Sequence, residues 1–183
     1  RRLERQLQQR RRDTEHTRRR RGDFDRSRLV AAVRGQSDVF TRTEAGEDKQ
    51  YTCVIVMDRS ASMDGDAVTA AETGTLTLAT ALESVGVSVA ILDIYKSTVR
   101  LVKTVVETTE TAHARVATEQ TGGGTPLATA LSVVRARFDG AANPFAIVVT
   151  DGRPDDTAAY TATLDAVTFP VLGVYLTADA EPA

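Results

Sequence analysis

Only one cysteine, Cys53, stands in the 183-residue chain, so no internal disulfide can form. It falls in an apolar stretch, which suits a small core residue better than a reactive thiol. The two histidines, His16 and His113, have no second His or Cys at ligand spacing, which argues against a zinc-type site. Lysine is reduced to Lys49, Lys96 and Lys103. None of them follows the glycines of Gly122-Gly123-Gly124, which argues against a P-loop. No apolar run approaches the roughly 20 residues a membrane helix needs, and the arginine-rich start has no apolar region behind it. The expectation is a soluble, cytoplasmic protein without an export signal or membrane span.

What is present divides by charge. Residues 1–28 hold 12 Arg against five acids, about +7, which leaves 11 bases and 20 acids, about −9, for the rest. Residues 1–24 read as a basic arginine-rich arm, helical or disordered, because Leu3 and Leu7 are the only apolar anchors in the first 21 positions. Nucleic acid, an acidic partner, or the acidic faces of sister subunits would suit its charge. No aromatic interleaves the arginines as base stacking requires, so nucleic acid is the weaker reading and a solvated linker the plainer one. Residues 25–183 are long enough for one well-buried domain and too short for two.

The rest of the chain is organised around Tyr51 to Met63, YTCVIVMDRSASM. A Val/Ile-rich run that stops at a carboxylate reads as a buried strand delivering oxygens at its C-terminal end, where open α/β sheets bind ligands. Asp58, Ser60 and Ser62 are spaced two apart. Thr125 follows the three glycines, and Asp151 ends a second apolar run, FAIVVTD. Two carboxylates and three hydroxyls are hard oxygen donors that suit Mg2+, with Mn2+ or Ca2+ as alternatives. Singly, each is an ordinary turn or cap residue. Arg59 and Arg153 beside them are expected to pair with Asp64, Asp66, Asp155 or Asp156, or to reach an acidic ligand.

The remaining elements alternate. Asp66 to about Ser84 predicts a helix ended at Gly86, and Val87–Tyr95 a central strand. Val99–Val106 follows too closely for a crossover helix, so it pairs antiparallel at the sheet edge. Thr108–Glu119 predicts a short polar helix, Leu127–Phe138 a helix opened by Pro126, Phe145–Thr150 a strand, about Asp155 to Leu164 a helix, and Pro170–Leu176 a last strand. Ahead of them, Asp25–Gly35 predicts a short amphipathic helix and Phe40–Arg42 an edge strand. The fold class is α/β: a doubly wound, mostly parallel sheet with one antiparallel edge strand.

At Asp58-x-Ser60-x-Ser62, Thr125 and Asp151 the chain resembles the von Willebrand factor type A family, a Rossmann-like domain, in the residues of its metal-ion-dependent adhesion site. The segment before the first strand resembles the domains of the cobaltochelatase large subunit and of a nitric-oxide-reductase accessory protein. The resemblance implies that all five residues bind a divalent cation and that a partner's Asp or Glu takes an open position on it. It also implies an assembly with an AAA-type ATPase, of chelatase or oxidoreductase-maturation type, and no enzymatic activity. A Mg2+-dependent phosphohydrolase with Asp58 as nucleophile is disfavoured: Ser60 stands where a second acid would be wanted, and Lys96 and Lys103 are expected far from the site.

Overall fold

The computed structural model describes residues 14–19, 23–24, 40–44 and 50–176. The chain divides into two compact units, Arg1–Lys49 and Gln50–Ala183. In the first, β1 (Thr14–Arg19), β2 (Asp23–Phe24) and β3 (Phe40–Glu44) form an antiparallel sheet in the order β1-β3-β2. Two expectations are corrected here. Residues 14–19 and 23–24 of the supposed helical or disordered arm are strands, and Phe40–Glu44 is the centre of its own sheet rather than an edge strand. Arginines without an apolar stripe give a helix nothing to bury, whereas threonines at 14, 17, 41 and 43 favour extended backbone and β3, distant from β1 in sequence, offers hydrogen bonds on both sides. The remainder of the arm and the helix expected over Asp25–Gly35 lie outside the described residues.

The second unit is built on β4 (Tyr51–Asp58), followed by a single 3-10 turn (Ala61–Met63) and α1 (Asp66–Ser84). Then come β5 (Val87–Tyr95), β6 (Thr98–Lys103), α2 (Thr109–Val116), α3 (Leu127–Phe138), β7 (Pro144–Thr150), α4 (Thr157–Asp165) and β8 (Val171–Tyr175). The strand order is β6-β5-β4-β7-β8, parallel except for the β5–β6 hairpin at one edge. This is the expected sheet. Among the described residues no helix is long and apolar enough to cross a membrane.

β4 lies at the centre of the sheet, and from Cys53 to Asp58 its residues are buried without alternation, so both faces are covered there. Cys53 through Met57 are all buried, and burial pushes the Cys53 thiol up to about 12, which keeps it unreactive. On one face Val54, Val56, Leu92 and Val148 pack under Leu127 and Leu131 of α3. Each such burial contributes about 1.5–3 kcal/mol. The register sets Met57 opposite Val149, so β4 and β7 end side by side and release their loops at the same end of the sheet.

Two elements stop short of their expected ends, each for a capping reason. β6 ends at Lys103 because the Glu107 carboxylate accepts the Thr104 N–H (2.8 Å) and hydroxyl (3.0 Å), folding the chain away from the sheet. α2 ends at Val116 because Glu72 of α1 takes the Thr118 and Glu119 N–H groups. His113 is exposed on α2, the surface residue its isolation suggested.

Candidate metal centre

β4 cannot carry its buried register past Asp58 without a partner for the carboxylate, and the loop supplies one. Asp58 is fully buried; its Oδ1 accepts the Ser60 N–H (2.8 Å) and its Oδ2 accepts the Thr150 hydroxyl (2.6 Å). The first bond folds the chain back over the strand end, so the side chains of Ser60 and Ser62 come together, their Oγ atoms sharing a 3.1 Å hydrogen bond. Ser62 then donates to Asp151 Oδ1 (3.0 Å), which ties the loop after β4 to the loop after β7.

Thr125 arrives from the glycine loop. Its N–H donates to Asp155 Oδ1 (2.8 Å) and its carbonyl accepts the Asp155 N–H (3.1 Å), a reciprocal clasp on the third loop. Gly124 is small because a Cβ there would stand 2.7 Å from Asp155 Oδ2. At Gly123 (φ +84°) a Cβ would stand 2.4 Å from the Ser97 backbone nitrogen, so only glycine fits. A methyl on Gly152 would lie 3.7 Å from Ser62 Oγ and 3.9 Å from Thr125 Oγ1, and there the three loops meet. Asp58, Ser60, Ser62, Thr125 and Asp151 are therefore all brought to one end of the sheet.

The donor set can be tested against a cation. Oxygens at right angles on an ion with bonds of ~2.0–2.1 Å stand roughly 3 Å apart. The Ser60–Ser62 and Ser62–Asp151 separations of 3.1 and 3.0 Å, set here by hydrogen bonds, fall in the same range. Among the described residues no group of three or more His, Cys, Asp or Glu could hold a metal, so a site here leans on its hydroxyls. Asp58 has both oxygens engaged by the protein, which suits orienting the loop more than direct coordination. Burial pushes its carboxyl up, opposed by the bonds from Thr150 and Ser60 and reinforced by the Asp151 charge. The residues present fit a hard divalent ion.

Two expectations about the surroundings change, those for Arg59 and Lys96. Arg59 pairs with none of the acids named for it and turns inward, fully buried, to Glu72 and Asp93. Its Nε lies 3.0 Å from Asp93 Oδ2 without pointing at it, an ion pair rather than an aligned hydrogen bond. Arg153 is exposed and makes no hydrogen bond or ion pair among the described residues. Lys96 is close to the site: its N–H donates to Gly122 O (2.8 Å) and the neighbouring Ser97 Oγ accepts from Gly124 N (2.9 Å), so the β5–β6 turn walls the glycine loop. Lys103 does turn away, its Nζ buried against Glu83 (2.7 Å).

Sequence reasoning missed Glu72, Asp93, Thr150 and Asp155 as supporting groups. A signal existed for two of them: Glu72 sits among Val68, Ala71 and Thr75 on the inner face of α1, and Asp93 interrupts the apolar run of β5. A lone acid on a buried face needs a buried cation.

The profile of the family described as von Willebrand factor type A domain matches residues 53–153. A von Willebrand factor type A structure from Catenulispora acidiphila is 22% identical over 73% of this chain and 34% of its own, with a TM-score of 0.56. The pilus adhesin SpaC from Lactobacillus rhamnosus GG is 20% identical over 62% of this chain and 17% of its own, with a TM-score of 0.50. The chain thus spans about a third or less of these solved chains, and at such identity the likeness speaks for the fold. No curated protein matches the chain.

Proposed function

The chain belongs to the von Willebrand factor type A family of protein-interaction and adhesion modules, and on that premise we propose that it docks a carboxylate of a partner protein through a divalent cation, Mg2+ first. The observation carrying this reading is the convergence of two carboxylates and three hydroxyls from three loops at the ends of β4 and β7. Ser60, Ser62 and Thr125 are the residues to hold the ion directly, Asp151 stands hydrogen-bonded to Ser62, and Asp58 orients the loop through the Ser60 N–H. Bound there, the ion supplies an electrophilic position that an Asp or Glu of the partner completes. Hydroxyl ligands are neutral and leave that charge available to the partner.

We read the site as one for docking and not for catalysis. Ser60 occupies the place an acyl-phosphate mechanism would give to a second acid, Thr150 already holds one oxygen of Asp58, Lys103 is turned into the interior, and Lys96, near the site through its main chain, has its ammonium over the Tyr95 ring (5.1 Å). The partner we have in view is a cytoplasmic assembly with an AAA-type ATPase, supported by the likeness of the segment before the metal-loop strand to chelatase-type domains.

Calorimetry with Mg2+ on the full chain and on Asp58→Ala tests the cation; capture of Asp- or Glu-bearing peptides in Mg2+ and in EDTA tests the docking. Saturable Mg2+ binding lost in the variant, with peptide retained only in Mg2+, is the expected result. Peptide retained equally in EDTA would sink the reading.

A further inference from the structure

We propose that Arg59 is the positioning residue of this site: its buried guanidinium, with Glu72, fixes the loop from Val116 to Gly123 and so sets where Thr125 stands. The inference rests on the docking reading above. It concerns a residue between two candidate ligands, Asp58 and Ser60, whose side chain faces away from both.

The side chain spreads its donors over one segment. Nη2 donates to Val116 O, and Nη1 to Glu72 Oε1 and to Gln120 O (3.3 Å). Glu72 Oε1 in turn accepts the N–H groups of Thr118 (3.1 Å) and Glu119 (2.7 Å). The main chain adds to this: Arg59 O accepts Gly122 N (2.8 Å), and Ala61 N donates to Gly123 O (3.0 Å). The glycine loop is therefore fastened at both ends of the segment to the residue that follows Asp58. Glu119 holds φ +53°, a left-handed conformation that a non-glycine residue keeps only when its surroundings impose it. Its N–H on Glu72 is such an imposition.

Arginine suits the place because its acceptors lie in several directions and a planar fork of five N–H donors reaches them at once, which an ammonium on a flexible stem does not. The cluster is electrically closed, since Asp93 also receives Arg100 through Nε (2.8 Å) and Nη2 (2.5 Å). Buried ion pairs often add little net stability over apolar groups of similar size. What this one supplies is the placement of a loop.

The test uses the full chain with Arg59→Lys and with the charge-balanced double variant Arg59→Met/Glu72→Met, which leaves Asp93 paired with Arg100. Amide exchange is followed without metal, and Mg2+ affinity by calorimetry. The double variant should unfold cooperatively yet exchange the Thr118 and Glu119 amides about tenfold faster or more. Its Mg2+ affinity should fall by about 10- to 100-fold, the range seen when groups that orient ligands are removed. Arg59→Lys, which keeps the charge and loses the fork, should move both readouts the same way. Wild-type exchange at Thr118 and Glu119 in folded Arg59→Lys, which keeps the Glu72 acceptor of both amides, would overturn the proposal. If the wild type takes up no Mg2+, the docking reading falls, while the exchange result still decides whether Arg59 places the loop.

Discussion

Replacing Asp58 with Asn removes a negative charge from a position where nothing described in the protein neutralises it. The carboxylate is fully buried, its two bonds come from the neutral Ser60 N–H and Thr150 hydroxyl, and the adjacent guanidinium of Arg59 is committed to Glu72 and Asp93. An amide keeps the Ser60 bond, and its NH2 group donates to Thr150 Oγ1 once that hydroxyl turns. Relief of a buried charge without a cation is worth about 1–3 kcal/mol. The variant should therefore be the more stable protein in EDTA at pH 7, by about 2–4 °C in Tm for each kcal/mol in a chain of this size. Saturating Mg2+ should reverse the order. A ligand at 100 times its Kd stabilises the native state by about 2.7 kcal/mol, a rise of roughly 5–11 °C that the wild type should show in full and the variant, which keeps the Ser60 bond but brings no negative charge near the ion, only in part. Paired thermal melts with and without Mg2+ read both halves. A variant less stable than the wild type in EDTA would refute the unpaired-charge argument, and an equal rise with Mg2+ in both proteins would remove Asp58 from the site.

Gly123→Ala should cost about 2 kcal/mol or more, since its Cβ would meet the backbone of Ser97 and Lys96 at a left-handed φ, whereas Gly65→Ala (φ +81°), with open space around it, should cost about 1 kcal/mol; urea midpoints that coincide would contradict this. For Glu83, burial raises the carboxyl, but bonds from Lys103 and the Thr109 N–H outweigh it and leave it below the ordinary glutamate range. A depressed carboxyl adds stability that is complete above its unfolded value and is lost as pH falls through the folded one. Lys103→Met should then cost about 1–3 kcal/mol near neutrality, with Glu83 a quarter exposed, and flatten the acid limb of stability below about pH 4.5. Acid limbs that superimpose would exclude the pair as its cause.

The second unit was nearly all legible because its signals are local. Buried parallel strands read as unbroken apolar runs, as Cys53–Met57 and Phe145–Val149 do, and helix ends carry their own chemistry, as at Gly86 and Pro126. The close spacing of Tyr95 and Thr98 identified the antiparallel edge for the same reason. In the first unit only the strand begun at Phe40 was legible, and not its place at the centre of a sheet. Extended backbone at Thr14–Arg19 depends on pairing with Phe40–Glu44, more than twenty residues away, and no local pattern announces that partner.

The candidate site divides in the same way. Composition and order along the chain were enough to pick out Asp58, Ser60, Ser62, Thr125 and Asp151, because strands of one parallel sheet must release their loops at one end. Only the tertiary structure decided what holds those loops in place: Arg59 turned inward rather than toward the site, Glu72 receiving two amides from across a helix, Asp155 clasping Thr125, and Lys96-Ser97 walling the glycines. The physical reason is range. Apolar periodicity and caps act within a few residues, whereas a buried charge takes its partner wherever the fold brings one, and here Arg59 finds Glu72 and Val116 at separations of 13 and 57 residues.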